Sequence, residues 1–425
     1  MSPGKSPFPH FALSETDIEQ LHELARALVA SNLADHEKFL RAKREKETKQ
    51  VPVIDETAWK FVREREKMRA YICRTKNSTE TSWTSTVPGE RGSAQPVSPT
   101  RSRDSFMEPE LDHLAVMLVV GTVAGTMEDM MYGLITSTAD ESLIKTSYVK
   151  DTESGVVVLA TLEAPTLEDP FRSIMIKYVE IEQPRFVRTM VKKRNYVFME
   201  ITGIANLPNN GERIGYHILH SVHFPQTPEF ASAVRGSLSV STFSQLKPDT
   251  TNEVEVCVRG LSDPGGNIIR AVASSSMSTA LCSTARNVNC ANMKKLAWLV
   301  RCSSKKPRNL NDASRGCVTC NKAPLRGKLG DLINNSRKCH ICWGYVCSSC
   351  RVKKKLSFIR APTGKLVRRE LPFCTACVKS AVTMSAFTVA QQEIAAEAGN
   401  ESVYSDFSDV GFFSFSSSDY MSECS

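Results

Sequence analysis

Eight cysteines lie between positions 317 and 377 as four Cys-x-x-Cys pairs: Cys317 with Cys320, Cys339 with Cys342, Cys347 with Cys350, and Cys374 with Cys377. Zn²⁺ takes four soft ligands at tetrahedral corners, and each Cys-x-x-Cys turn delivers two thiolates to one ion. Four pairs therefore make two closed, all-thiolate zinc sites. A closed site leaves no position for an activated water, so the chemistry is structural and not hydrolytic. Few large apolar residues lie between the pairs, and metal binding must supply the folding energy of this segment. The other cysteines, Cys73, Cys257, Cys282, Cys290, Cys302 and Cys424, are scattered and read as small buried hydrophobes or idle thiols of a reducing compartment.

The charge around these pairs is lopsided. The chain's 425 residues carry a formal +8, but residues 301–380 hold 19 Lys and Arg against 3 Asp and Glu, a net of +16, whereas residues 381–425 hold 7 acids and no base. A compact basic segment points to phosphate or an anionic membrane. The length suits two or three domains and the composition is that of a globular chain. No apolar h-region opens the sequence and the apolar stretch 114–127 is too short to span a bilayer, so a soluble intracellular protein is expected.

The elements that must position this basic module come before it. Ser14 and Asp17 form a cap signature, and Ile18, Leu21, Leu24, Ala25 and Leu28 follow at helical spacing. This predicts a short amphipathic helix; the charged stretch 36–50 reads as a solvated helix or linker. Residues 59–62 and 68–72 predict a hairpin. Residues 77–108 shift to Ser, Thr, Pro and Gly and read as a disordered insertion. Strands are expected at 114–123, 155–162, 172–181, 186–191, 196–202, 213–224 and 254–259, with a helix opened by Thr126 and a long helix over 277–301. Along 213–224, Ile214, Tyr216, Ile218, His220, Val222 and Phe224 share one face. The order predicts an α+β fold in which a curved antiparallel sheet closes around the last helix.

These residues resemble a known family. The runs 59–64 and 119–134, the strand pair around Gly211 to His217 and the terminal helix are similar to START-like lipid-binding domains over residues 55–301, and a zinc finger behind such a domain is the layout of an oomycete group that joins START-like and FYVE-type units. The resemblance implies a helix-grip domain at 55–301, preceded by a helical segment at 1–54 and followed by a FYVE-type finger at 312–382 and a disordered acidic, Ser/Phe-rich tail at 383–425. It also implies a tunnel for a lipid or other apolar ligand. The residues themselves build a tunnel or a solid core equally well. His220, polar on an apolar face, together with Tyr216 and Glu200, are the candidate cavity residues; a satisfied core histidine and a paired buried carboxylate are the plainer readings.

The finger resemblance rests on Arg337-Lys338-Cys339, the four-residue gap from Cys342 to Cys347, and Tyr345-Val346. It implies a cross-brace in which Cys317, Cys320, Cys347 and Cys350 hold one zinc and Cys339, Cys342, Cys374 and Cys377 the other. The family's two histidines before the third cysteine are missing, Gly344 sits one place late, Pro372-Phe373 replaces an arginine pattern before Cys374, and only Asp312 stands where a Trp-x-x-Asp is expected. Specific recognition of phosphatidylinositol 3-phosphate is therefore not implied. His340 is not a ligand, since four thiolates complete its site. Arg337, Lys338, Arg351, Lys353, Lys354, Lys355, Arg368 and Arg369 remain as phosphate- or membrane-binding candidates, on a cationic hairpin turning at Pro362-Thr363-Gly364. Nucleic acid fits less well, because no recognition helix or aromatic platform accompanies the charge.

The expected function is that of a non-enzymatic lipid-binding adaptor, cytoplasmic and peripheral on endosomal or other anionic membranes, with a protein partner for the tail. Two alternatives from other classes stay open: a RING-like ubiquitin ligase, which also cross-braces two zincs, and a zinc-stabilised protein-interaction module with a filled core.

Overall fold

The computed structural model describes residues 6–74, 115–149, 153–181, 192–207, 211–248, 250–266, 270–304, 316–324, 337–360 and 363–399. The expected insertion, the strand at 186–191 and the last 26 residues lie outside these.

Ser14 and Asp17 do cap a helix: Ser14 Oγ accepts from the Asp17 amide at 3.1 Å, and the Asp17 carboxylate accepts from the Ser14 amide at 2.9 Å. Helix α1 (Glu15–Thr48) runs on for 34 residues. The stretch from His36 is thus no linker. Its apolar stripe continues through Leu33, His36, Phe39 and Leu40, all buried, while Lys38, Arg41 and Arg44 occupy other sides of the same helix.

Strands β1 (Trp59–Arg65) and β2 (Met68–Cys73) form the expected hairpin, turned by Glu66 and Lys67 at positive φ. Next come β3 (Ala115–Ala124), α2 (Met127–Leu134) and α3 (Ala139–Val149). Seven strands follow: β4 (Glu153–Glu163), β5 (Ser173–Ile181), β6 (Lys193–Asn206), β7 (Arg213–Ser221), β8 (Ala233–Arg235), β9 (Ser237–Leu246) and β10 (Glu253–Asp263). The sheet order is β1-β2-β3-β10-β9-β7-β6-β5-β4, antiparallel along this path, with the short β8 parallel to β6. The chain after β3 therefore crosses through α2 and α3 to the far edge and works back strand by strand until β10 rejoins β3.

Alternation gives the sheet two buried faces. On the outer face, Leu118, Ile174, Ile176, Tyr178, Val197, Met199, Ile201, Ile214 and Ile218 pack with Leu21, Ala25, Leu28 and Phe39 of α1. On the inner face, Met117, Val119, Val254, Val256 and Val258 pack with Met130 and with the C-terminal helices. The expected single helix over 277–301 is broken: α4 (Arg270–Cys282) and α5 (Asn287–Ser304) are joined by a 3₁₀ turn, Ser283–Arg286. Arg286 fixes that bend by pairing with Glu66 at 2.6 Å and donating to the Val149 carbonyl at 2.8 Å. Close approach of α2 to α5 requires glycine: a Cβ on Gly133 would lie 1.8 Å from the Asn287 carbonyl oxygen. The result is an α+β helix-grip fold.

The small C-terminal unit consists of the hairpin β11 (Val352–Arg360) and β12 (Lys365–Phe373), α6 (Thr375–Thr383) and α7 (Ala386–Ala398). Helix α7 corrects the expectation of disorder from 383. Its Ala386, Val389 and Ala390 are buried in one cluster with Met131, Ile144, Phe171 and Trp298. Lys295, fully buried on α5, ties the unit down by donating to Asp129 at 2.7 Å and to the carbonyls of Val382 and Met384 at 2.9 and 3.1 Å. The Ser357 amide of β11 donates a hydrogen bond to the Tyr148 hydroxyl oxygen at 2.7 Å. The finger and the helix-grip core are one packed body, so their stabilities are coupled.

Two predictions follow from this interface. Replacing Lys295 by Met strands Asp129 as a buried, unpaired charge and should destabilise the whole chain by about 3 kcal/mol in urea titration; adding Asp129→Asn should recover part of the loss, and a neutral single variant would contradict the role. Burial, with Glu141 and Glu397 nearby, raises the Glu393 carboxyl to about 7 against the opposing pull of Lys294 and Tyr132. A raised acid stabilises the fold fully below its unfolded value near 4.5 and loses that contribution as pH climbs through 7. The thermal midpoint should therefore fall from pH 6 to pH 8, and Glu393→Gln should flatten that slope; an unchanged slope would show that other groups set it.

Candidate functional site

The first two Cys-x-x-Cys pairs sit in matching tight turns, and the fourth opens helix α6. The Cys317 amide donates to the Lys322 carbonyl and the Asn321 amide to the Cys317 carbonyl, at 2.9 and 2.7 Å; the second turn repeats this with Cys339, Gly344 and Trp343, at 2.9 Å for both bonds. The residue after each of these two pairs is left-handed, Asn321 at φ 58° and Trp343 at φ 59°. The late glycine now has a reason. Trp343 occupies the left-handed position, and Gly344 is needed because a Cβ there would meet Val318 Cγ1 at 2.3 Å.

The structure gathers the sulfurs into two sets, Cys317, Cys320, Cys347 and Cys350, and Cys339, Cys342, Cys374 and Cys377, each with all four ligand atoms within 4.8 Å. These are the sets that the cross-brace implies. Cys320 and Cys347 sulfurs are 3.6 Å apart, and those of Cys342 and Cys374 are 3.9 Å apart. Four thiolates at 2.3 Å from a central Zn²⁺ would be about 3.8 Å from one another, so the donor type and spacing both fit a tetrahedral ion. Backbone amides of Cys347 and Cys377 donate to the Cys317 and Cys374 sulfurs at 3.4 Å, support that anionic thiolates require. His340 belongs to neither set. Its ring lies against Trp343 and Phe373, at 5.9 and 6.3 Å between centroids, and its carbonyl accepts from Ser303 at 2.9 Å. A bound metal ion would supply a cross-link here and no catalysis.

The basic candidates flank both sites and run out along the β11–β12 hairpin. Lys338 bridges to Tyr345 next to Cys339, and Arg351 follows Cys350. In the β11–β12 register Lys355 faces Glu370 and Ser357 faces Arg368, which puts Lys353, Lys355 and Arg368 on one side of the ribbon, all exposed. Lys353 pairs with Glu370, the hairpin's one acid. Arg337, Lys338, Arg351, Lys354 and Arg369 are half-buried.

The cavity candidates separate. Glu200 faces the inner side, whereas Tyr216 and His220 lie on the outer face with Ile214 and Ile218, away from α4 and α5. His220 is half-buried with Nδ1 3.4 Å from Ser239 Oγ. The expectation that Tyr216 and His220 line a tunnel against the terminal helix is thereby corrected: strand parity turns them toward the α1 side. The inner residue at this level of β7 is His217. Its Nε2 is 2.9 Å from Glu200 Oε1, the other Glu200 oxygen pairs with Lys177, and Lys177 also donates to Thr136 Oγ1 at 3.0 Å. Burial pushes the Glu200 carboxyl up, but the Lys177 charge and the His217 bond outweigh it and hold the group well below the carboxylate range. Burial lowers His217 despite Glu200. Sequence reasoning missed Lys177 and His217, although a lysine inside the run Ile174-Met175-Ile176-Lys177-Tyr178-Val179 demands a buried partner. Near α4 the inner face is a solid core, with Met117, Val119, Met130, Val254, Val256, Val258 and Leu281 at most 8% exposed. A cleft of about 480 Å³ opens on the other face, under α1.

No protein-family model matches this sequence, and no curated protein does. Among solved structures the chain is similar to human StAR-related lipid transfer protein 5, at 14% identity and TM-score 0.37 over 63% of this chain and 97% of that one. It is also similar to human STARD10, at 12% and 0.33 over 55% and 74%, and to the human StarD13 lipid transfer and protein localization domain, at 9% and 0.33 over 54% and 88%. These values are low, and the fold stands on the strand order itself.

The thiolate geometry predicts two metal ions per chain. Elemental analysis of freshly purified protein should give two zincs; Cys339→Ser should release one and leave three ligands at the second site, and a wild-type content of one or none would contradict the assignment.

Proposed function

We propose that this protein is a non-enzymatic, intracellular lipid-binding adaptor: a START-like domain that holds a lipid or other apolar ligand, joined rigidly to a FYVE-related two-zinc finger that docks it on anionic membranes, phosphoinositide-bearing endosomal ones included. The observation that carries the membrane half is the cationic ribbon. Seven Lys and Arg residues of β11 and β12 stand against one glutamate, and Lys353, Lys355, Arg360, Lys365 and Arg368 are exposed on a hairpin whose base is anchored by thiolate centres. Each such charge near an anionic leaflet contributes about 1 kcal/mol. The helix-grip architecture supports the lipid half, together with the layout shared with START–FYVE proteins. The resemblance of the layout to the oomycete group supports this reading. Two all-cysteine sets without a histidine ligand support a FYVE relative over a RING-like ligase.

With the family's histidine pair missing, attraction is electrostatic and weakly selective. Binding to vesicles should rise with their anionic fraction, stay unchanged between pH 6 and 7.5, and vanish as salt shortens the screening length from about 10 Å at 0.1 M to about 3 Å at 1 M. Lys353, Lys355 and Arg368 changed to Glu should abolish it at low salt. Sedimentation with matched vesicles measures this, and salt-resistant, acid-enhanced preference for phosphatidylinositol 3-phosphate over equally charged lipid would overturn the weak-selectivity reading.

A further inference from the structure

The cationic ribbon has a match within its own chain. Residues 400–425 hold Glu401, Asp406, Asp409, Asp419 and Glu423 with no Lys or Arg, and six aromatic residues stand among these acids. The positive charge of the chain is concentrated in one place, since residues 1–300 sum to −1 and residues 301–380 to +16. Within that stretch the ribbon sets seven Lys and Arg against Glu370, and Glu370 is taken by Lys353. Lys355, Lys365 and Arg368 are exposed. Lysine and arginine are attracted both to carboxylates and to the faces of aromatic rings, and residues 400–425 supply both.

Helix α7 brings this segment to the ribbon. Ile359 and Leu366, opposite one another just below the ribbon's turn, pack in one cluster with Ala386, Val389 and Ala390 of α7. At 1.5 Å per residue, α7 stops at Ala398 about 14 Å along its axis from Val389. The nine-residue strands of the ribbon are about 30 Å long, whereas 26 residues can span up to about 86 Å. Residues 400–425 can therefore reach the whole ribbon. Two segments joined by so short a link meet at an effective concentration of millimolar order, so a contact whose dissociation constant is about tenfold lower fills the ribbon and weakens a competitor to a similar degree.

We propose that residues 400–425 dock on the β11–β12 ribbon of the same chain and compete there with anionic surfaces, so that the acidic segment sets how tightly the ribbon holds a membrane. The competition rests on the reading of the ribbon as the membrane-docking surface; the contact between segment and ribbon does not. The short link from α7 favours docking within one chain over docking on a second copy.

The test uses the full chain in three forms: wild type; a neutral-tail form carrying Glu401→Gln, Asp406→Asn, Asp409→Asn, Asp419→Asn and Glu423→Gln; and the neutral-tail form with Lys353→Glu, Lys355→Glu and Arg368→Glu added. The first two differ only outside the helix grip and the finger, so their comparison stands whether or not the third folds. A fluorescein-labelled peptide of residues 400–425, followed by anisotropy, should bind the neutral-tail form about tenfold more tightly than wild type, whose ribbon is occupied, and should not bind the reversed ribbon. Vesicles of phosphatidylcholine and phosphatidylserine should show the same order. Peptide binding in this order with no vesicle binding by any form would uphold the contact within the chain and overturn the membrane reading of the ribbon. Equal peptide affinity for wild type and the neutral-tail form, peptide binding retained by a folded reversed ribbon, or equal vesicle binding by the first two forms would each overturn the proposal. Occlusion that grows with protein concentration would assign the segment to a second copy and overturn docking within one chain.

Discussion

Four sulfur ligands held within 4.8 Å of one another, twice, is the constraint that shapes the C-terminal third of this chain. Thiolates so close repel unless a cation lies among them, and nothing else in the segment could pay for the two tight turns and the left-handed Trp343 that the arrangement needs. Once both centres are closed, Cys350 and Cys374 become the fixed ends of the β11–β12 ribbon. The ribbon's basic residues are then displayed at a defined place and not on a loose loop.

The same centres reach the larger domain. Cys374 caps α6, α6 leads into α7, and the end of α6 with the link after it supplies the Val382 and Met384 carbonyls that hold Lys295. Lys295 in turn neutralises Asp129 of α2, whose helix packs on α5 and on β7 and β9. A buried ion pair is costly to assemble and more costly to break. It makes the docking of the small unit all-or-none, and it ties the orientation of the cationic ribbon to that of the helix grip.

Much of this was legible in the sequence where one periodicity ruled. The eight cysteines, the Ser14 and Thr126 caps, and the strands at 172–181 and 213–224 could be read because spacing alone specified them. The misreadings have physical causes. Alternation shows that Ile214, Tyr216, Ile218 and His220 share a face but not which of two buried faces it is, and so they were set against the wrong helix. Helix α1 was cut at His36 because its charged residues outnumber the stripe that keeps it buried. Strand β9, Ser237–Leu246, escaped notice because its Ser and Thr side chains mimic a loop while the ladder to β7 and β10 holds it. Helix α7 was lost in an acidic tail whose apolar face has meaning only against α2 and α5. Lys295 could not have been found, since its partners lie 166 and 87 residues away in sequence.

The central claim is that the metal centres and the helix grip are one cooperative body. Amide hydrogen exchange on the intact chain, with and without a zinc chelator, tests it most directly. Coupling predicts that chelation strips protection from β11, β12 and α6 and also from α7, α5 and α2, across the Lys295 interface. Loss confined to residues 316–383, with α2 and α5 as protected as before, would show two independent domains and contradict the account.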